Sequence, residues 1–384
     1  MRVHYISPST LPSRTANSVH VAWQCDGLAK MGADVTLYAK RGIAKQQSLG
    51  EALETTYGID AKPLTVVSFF STHDRATSAM IAAMAAMRIG FGAGTATIIS
   101  RNLYASFLFG VLQRRPLIFE THQLEQGARK PLQRLIMTRP WIITVVISAQ
   151  LVEHLARHHG VAPRTALILH DAAPSGIVRL DDCERRATLK RLVPIAAGNW
   201  DAVCGYFGQL YVGRGIEIVE GLAAASPGRL FLVYGGGAAD IRAKRAANKH
   251  PNLHFMDHVA HPDALRIMRA VDVLLMPYQK RVSIGIRGHD TANWMSPMKM
   301  FEYLAAGVPI VASDLPSLRE VLQDHGNCLM VTPDRLDAWR TAVDRLVTDR
   351  PLARRIGLRA HEDYRSKHTW ILRAEALLNA ARTL

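Results

Sequence analysis

Two separate series of short apolar runs, each run followed by a helical pattern, leave this chain few folds to choose from. The first series reads RVHYIS, DVTLYA, LTVVSF, TATIIS, PLIFE, TVVIS and ALILH, and ends near His170. The second reads AVCGYFG, RLFLVYG, NLHFM, VDVLLMP, VPIVAS and NCLMV. Such runs, alternating with helices, are the signature of parallel βαβ units. Between the two series lies an irregular, charged stretch from Asp171 to Asp201. The expected organisation is α/β: two tandem Rossmann-like, doubly wound parallel-sheet domains over 1–170 and 202–364, with 171–201 as a linker region. Sheets of this kind bind ligands outside the carboxyl ends of their strands, so an interdomain cleft is the expected site.

Composition narrows the class. With 384 residues and 48% hydrophobic content the chain is long enough for two cores. Cys25, Cys183, Cys204 and Cys328 are scattered without CxxC spacing, which fits a reducing, cytoplasmic compartment. MRVHYIS already reads as a strand and leaves no room for a signal peptide, and no apolar run reaches the roughly 18 residues a spanning helix needs. Net charge is +15, and residues 101–200 carry 14 Lys and Arg against 7 Asp and Glu, while residues 301–384 carry 12 against 11. The basic excess therefore lies early. Within it ARKPLQRLIMTRPW, Ala128 to Trp141, mixes Arg129, Lys130, Arg134 and Arg139 with apolar residues. That mixture fits either an interfacial element drawn to an anionic membrane surface or an ordinary solvated helix with a core-facing side. Nucleic acid is not an expected partner, since aromatics are 7% and no nucleic-acid motif is present.

Chemistry concentrates in SPMKMFEYLAAGVPIVASDLPS, Ser296 to Ser317. Ser296 suits an N-cap, Pro297 a first helical turn and Gly307 the left-handed residue after the helix. Met298, Phe301, Leu304 and Ala305 then share an apolar face, and Lys299 and Glu302 run beside it. Two readings fit this stripe: an i,i+3 ion pair, or a helix start and Lys299 facing an anion while Glu302 grips hydroxyls. The Gly235–Gly237 run follows a strand, but Asp240 stands where a dinucleotide fingerprint needs its third glycine, so it is a tight turn with or without a phosphate beside it. YISPSTLPSRTANS lacks that fingerprint after the first strand, and neither a Walker lysine motif nor a hydrolase elbow occurs. His254, His258 and His261 have metal-like spacing but straddle a strand end and a loop, so structural histidines are expected. No Asp-x-Asp pair exists to hold a divalent ion, which leaves basic side chains and helix N-termini to neutralise any diphosphate; no metal or cofactor is expected.

The chain resembles the retaining GT-B glycosyltransferases of family four, the glycosyl transferases group 1. SPMKMFEYLAAGVPIVASDLPSLREVL is similar to that family's most recognisable block, FGQLYVGRGIEIVEGLA to the opening of its donor domain, and HVAHPDALRIMRAVDVLLMPY to a neighbouring segment. PLIFETHQLE resembles its active-site histidine segment, and YRSKHTWILRAEALLNAARTL its last helix, which implies that 365–384 crosses back to the first domain. The resemblance implies a nucleoside-diphosphate-sugar donor and a glycan, lipid-linked or small-molecule acceptor; a lipid-linked acceptor together with the early basic excess would place the chain peripherally on the inner face of the plasma membrane. The resemblance also implies that Glu302 holds the ribose hydroxyls, Arg214 and Lys299 the diphosphate, and that His122 lies over the donor sugar. Asn17, Ser18, Gln209, Gly236, Val259, Asp290, Ser296, Pro297 and Met298 fall at donor-binding positions. The chain also departs from the pattern. The family's first glutamate falls at Trp294, with Asp290 or backbone in GHDTANWMSP as its replacement or Asp290 as an ordinary loop residue. Gln209 replaces the usual arginine, and TANS replaces the paired glycines of the first-domain loop, where Asn17 and Ser18 serve through the next helix N-terminus or simply cap it. A GT-B-fold sugar-nucleotide epimerase or phosphorylase, and a non-catalytic basic module, are the other functions compatible with such a scaffold.

Overall fold

The computed structural model describes residues 1–43, 46–68, 78–90, 96–283 and 290–384. Two units form. One is Met1–Pro174 with Thr369–Leu384, the other Ser175–His368.

The first unit holds strands β1 (Arg2–Leu11), β2 (Asp34–Arg41), β3 (Leu64–Ser68), β4 (Thr97–Ser100), β5 (Leu117–Thr121), β6 (Ile142–Val146) and β7 (Ala166–Ile168). They make one sheet in the order β3-β2-β1-β4-β5-β6-β7, and every pairing is parallel. All residues of β5 and β6 are buried, which is why these strands carry Ile and Val without alternation. A core of Phe109, Leu117, Ile136 and Ile142 covers one region of the sheet. Helix Trp370–Ala381, at the end of the chain, belongs to this unit.

The second unit holds β8 (Ala202–Phe207), β9 (Arg229–Tyr234), β10 (Leu253–Met256), β11 (Val273–Met276), β12 (Ile310–Ser313) and β13 (Leu329–Val331), in the order β10-β9-β8-β11-β12-β13 and again all parallel. Its core includes Tyr206, Phe231, Leu275, Val311 and Trp339. In each sheet the order reverses beside one strand, β1 in the first and β8 in the second, and the connections leave in opposite directions there. The carboxyl edge at that reversal is where a ligand fits.

Three expectations are corrected. β1 runs on to Leu11 instead of ending near Ser7: after a register shift beyond Ile6, Thr10 and Leu11 pair with Lys40 and Arg41 of β2. The region 171–201 is no bare linker, because it contains helix Asp182–Leu192, whose start is closed by a capping box in which Asp181 Oδ1 accepts from Cys183 N and Glu184 N at 2.8 Å and Glu184 Oε2 accepts from Asp181 N at 2.9 Å. Arg185 of this helix reaches Asp272 at 3.1 Å, which ties it to the second unit. Finally, helix Arg350–Lys367 continues past 364, and the last helix begins only at Trp370. Among the described residues no helix is long and apolar enough to cross a membrane.

Candidate active site

At the carboxyl edge of the second sheet, side chains from both strands at the reversal converge on one lysine. Helix Met298–Ala306 starts one residue later than the sequence suggests: Pro297, not Ser296, takes the N-cap position, and no side chain caps it. Gly307 ends the helix in the left-handed region, φ 63°, as its sequence indicates. Lys299 is 8% exposed, and its Nζ has no hydrogen-bond partner among the described residues. Instead it lies 4.2 Å from the ring centre of Tyr206 in β8 and 4.4 Å from that of Tyr278, two residues beyond β11. Burial, then the nearby Arg214 charge, push the Lys299 amine well below the ordinary lysine range, against the pull of Glu302.

Arg214 is held beside them by two glycines. Gly213 and Gly215 have φ of 84° and 79°, and a Cβ on either would collide with backbone carbonyl groups at Arg281 or Pro277. This close approach brings Arg214 Nη1 to donate to Tyr278 Oη at 3.0 Å, with the guanidinium 5.3 Å from the same ring. Arg214 Nε is buried without a partner among the described residues. Two cations thus share one phenol, and no carboxylate among the described residues lies within ion-pair distance of either.

Glu302 does not pair with Lys299. Its Oε1 faces His261 Nε2 at 2.6 Å, and the carboxylate is 7% exposed. The ion-pair reading of the stripe is therefore not what forms. His254 turns to the Pro251 carbonyl at 3.0 Å, so the three spaced histidines do not assemble around a metal. Asp290 is committed to the local backbone, where its Oδ1 accepts from Val282 N at 2.9 Å and Ala292 N at 3.0 Å and so closes the turn that leads to Trp294. Gly288 and His289 of GHDTANWMSP lie outside the described residues.

Gln209, Gly236 and Val259 follow the carboxyl ends of β8, β9 and β10. The Gln209 carbonyl accepts from Tyr206 Oη at 2.8 Å. Gly236, φ 91°, leaves room for Leu210, which a Cβ there would meet at 2.7 Å. Val259 is half-buried between β10 and helix His261–Met268. Ser296 is buried, and Pro297 and Met298 are half-buried at the helix start.

In the first unit the predicted histidine belongs to a buried charge cluster. Glu120 of β5 is 1% exposed. Its Oε1 meets Arg373 Nη2 at 2.8 Å, His122 Nε2 at 2.9 Å and His20 Nε2 at 2.8 Å, and its Oε2 accepts from Tyr5 Oη at 3.1 Å. Burial alone would raise the Glu120 carboxyl, but the charge of Arg373, with help from His20 and His122, holds it well below the usual range. His122 is pushed down to about 4 by burial and by Arg101, with Glu120 opposing, so its ring is neutral at pH 7. The partners fix its tautomer: Nε2 donates to the ionised Glu120, and Nδ1 accepts from Arg101 Nη2 at 3.1 Å. With both nitrogens engaged, His122 has no free lone pair for a general base. His20 Nδ1 faces Asp171 Oδ1 at 2.7 Å.

His20, Glu120 and His122 form the one group among the described residues with metal-ligand spacing. A divalent ion there would face the Arg373 guanidinium on the same glutamate oxygen. We read the cluster as a charge-balanced one that anchors helix Trp370–Ala381. Neither Asn17 nor Ser18 caps the helix Ala16–Lys30: Thr15 holds the N-cap position, Asn17 Nδ2 donates to Ser9 Oγ at 2.6 Å, and Ser18 Oγ donates to the Thr10 carbonyl at 2.8 Å.

A family model described as glycosyl transferase-like matches residues 214–379. A phosphatidyl-myo-inositol mannosyltransferase of Mycolicibacterium smegmatis is 28% identical over 163 residues, 40% of this chain and 39% of that relative. Over residues 214–379 the chain is therefore similar to glycosyl transferases. Among solved structures, a sucrose-phosphate synthase from Thermosynechococcus elongatus is similar at TM-score 0.74 and 15% identity, covering 100% of this chain and 98% of that one. Anabaena HepE in complex with UDP-glucose is similar at TM-score 0.71 and 14% identity, covering 100% of both. At such identities these structures speak for the fold, GT-B, and this chain has it. The match to the mannosyltransferase spans about two fifths of that relative's length.

Sequence reasoning missed Tyr206, Tyr278, Glu120 and Arg373, and read His261 only as one of three spaced histidines, not as the partner of Glu302. Glu120 and Arg373 carried a signal, since a charged residue inside an otherwise apolar strand or helix requires a partner.

Proposed function

We propose that the chain transfers a sugar from a nucleoside diphosphate sugar to a hydroxyl group, with retention of configuration and without a metal. The observation that carries this is the pair of cations, buried Lys299 and half-buried Arg214, held without carboxylates at the carboxyl edge where the second sheet reverses. The bound UDP-glucose of HepE and the mannosyl transfer named for the mycobacterial relative support the reading. In the reaction the anomeric C–O bond breaks, and the leaving diphosphate keeps the electron pair. The acceptor oxygen bonds to the same face of the anomeric carbon and passes its proton to the leaving phosphate. Negative charge therefore grows on the β-phosphate, and fixed cations in a dry site stabilise it without rearranging. Glu302, oriented by His261, accepts from the ribose hydroxyls, while Gln209, Gly236, Val259 and the 296–298 turn line the donor. His122 serves as a neutral, fixed group, not as a base.

Thermal shift against a panel of nucleotide sugars tests the donor reading, since a ligand that binds only the folded chain raises its stability by mass action. No shift with any of them would overturn it. Product analysis with and without acceptor separates transfer from epimerisation, and turnover is expected to survive a chelator. Glu302→Gln is expected to weaken donor affinity by about 1.5–3 kcal/mol, the worth of a hydrogen bond to a charged group, with the fold intact. Unchanged affinity by calorimetry would remove Glu302 from the site.

We also propose a lipid-linked acceptor and reversible attachment of the first unit to an anionic membrane. Helix Lys130–Met137 spends Ile136 and Met137 on the core, and Arg129 is paired with Glu125 at 2.8 Å, which leaves Arg134 and Leu135 exposed and Lys130 half-buried. Attraction is then mainly electrostatic, on the order of 1 kcal/mol per basic residue, and salt should release it. The expected result is co-sedimentation with anionic but not neutral vesicles, reduced when Arg129, Lys130, Arg134 and Arg139 become Ser. Equal sedimentation with both vesicle types would leave the segment a solvated helix.

A further inference from the structure

We propose that Tyr206 and Tyr278 are positioning residues that hold the Lys299 ammonium between their rings, keeping a cation ready for the donor diphosphate without giving it a carboxylate. The inference rests on the donor reading for its purpose, but the clamp itself stands on geometry. Tyr206 comes from β8 and Tyr278 follows β11, the two strands that pair at the reversal of the second sheet. Their ring centres lie 4.2 Å and 4.4 Å from Lys299 Nζ, within the range of a strong cation–π contact on two sides. A third side is left open by Gly208, where a Cβ would stand 3.2 Å from the amine. Both phenols are fixed at their far ends: Tyr206 Oη donates to the Gln209 carbonyl at 2.8 Å, and Tyr278 Oη accepts from Arg214 Nη1 at 3.0 Å.

Rings differ from a carboxylate in what they leave unspent. A carboxylate would take one or two of the three ammonium N–H groups and would have to be displaced when a diphosphate arrived. The face of a phenol attracts the charge but accepts no strong hydrogen bond, so all three donors stay available. Because Arg214 lies against the same ring, Tyr278 sets the spacing of both cations, matched to two neighbouring phosphates.

The test has two arms on the full chain. In the first, ligand-free protein is treated with a trace amine-acylating reagent and the modified lysines are mapped by mass spectrometry, with exposed Lys280 as internal reference. Tyr278→Leu and Tyr206→Leu are expected to raise Lys299 acylation at least tenfold relative to Lys280, while Tyr278→Phe, which keeps the ring, stays within about twofold of wild type. Equal acylation in wild type and both leucine variants would overturn the clamp. In the second, UDP, GDP and ADP are titrated calorimetrically. For whichever binds, Tyr278→Leu is expected to weaken affinity at least tenfold in the wild-type chain and by a clearly smaller factor in a Lys299→Met chain, where only the Arg214 contact is lost. Equal losses in both backgrounds would overturn the inference, because Tyr278 would then act independently of Lys299. If Lys299 is unmasked in the first arm but none of the three diphosphates binds the wild type, the clamp stands and the donor reading falls.

Discussion

Replacing Lys299 by Met is expected to lower kcat by about 100-fold or more while KM rises far less. Removing one preorganised group that meets growing charge costs roughly 10²–10³ in kcat, and an interaction stronger in the transition state than in the ground state appears in kcat, not in uniform binding. Methionine suits the test because the amine sits in a buried site with no partner to strand, so the variant keeps its packing. Arg214→Gln is expected to behave in the same sense. The site also imposes a pH dependence on binding. Burial and Arg214 lower the Lys299 amine from the ordinary lysine range in the free protein, and a diphosphate beside it would raise it again, so once pH exceeds the lowered value binding takes up a proton. The dissociation constant should therefore rise with pH, and calorimetry in buffers of different ionisation enthalpy should show proton uptake that Lys299→Met abolishes. A fall confined to KM, or uptake unchanged in the variant, would remove Lys299 from the diphosphate site.

The strands were legible because parallel sheets covered on both faces need continuous Val and Ile, and Ile142 to Val146 could be little else. The end of the site helix was equally legible, since Gly307 is the residue that a left-handed cap favours. What failed was polar strand and polar helix. Ser9 is buried inside β1, yet in sequence it reads as part of the loop after the strand. The helix Asp182–Leu192 was hidden in a charged stretch, although its capping box, Asp181 to Glu184, follows the usual spacing. In the site, Lys299 and Glu302 were visible as charges on a helix that had to be buried. Their actual neighbours were not, because Tyr278 follows β11 and His261 opens the helix after β10, and only the sheet order brings them to the same edge. Asp290 shows the converse: its type and place suited a ligand-binding carboxylate, but its Oδ1 is committed to two backbone N–H groups.

Removing Arg373 should have the largest effect on stability. Arg373 is 4% exposed, and it spends its guanidinium on Glu120 Oε1 at 2.8 Å, the His170 carbonyl at 2.9 Å and Gln24 Oε1. Arg373→Met strands an ionised Glu120 in a dry interior, a loss of about 3–5 kcal/mol for a buried pair broken on one side. For a unit of this size that corresponds to a fall in Tm of roughly 6–20 °C. Adding Glu120→Gln should recover part of it, since the stranded charge is gone; a double variant no better than the single one would show that Arg373 acts through packing alone. The same cluster makes the first unit acid-labile, and the sign follows from two depressed pKa values. His122 stays neutral in the fold down to about 4 but protonates near 6.5 when unfolded, so the unfolded chain binds more protons and stability falls as pH drops from about 6.5 to about 4. Glu120 has a folded value well below 4.5, so its stabilisation is present above about 4.5 and is lost as pH falls below that. Both slopes run the same way. Denaturant titrations between pH 7 and pH 4 should therefore show stability decreasing, with a smaller slope in His122→Gln, and a flat profile would mean that these two groups titrate alike in the folded and unfolded chain.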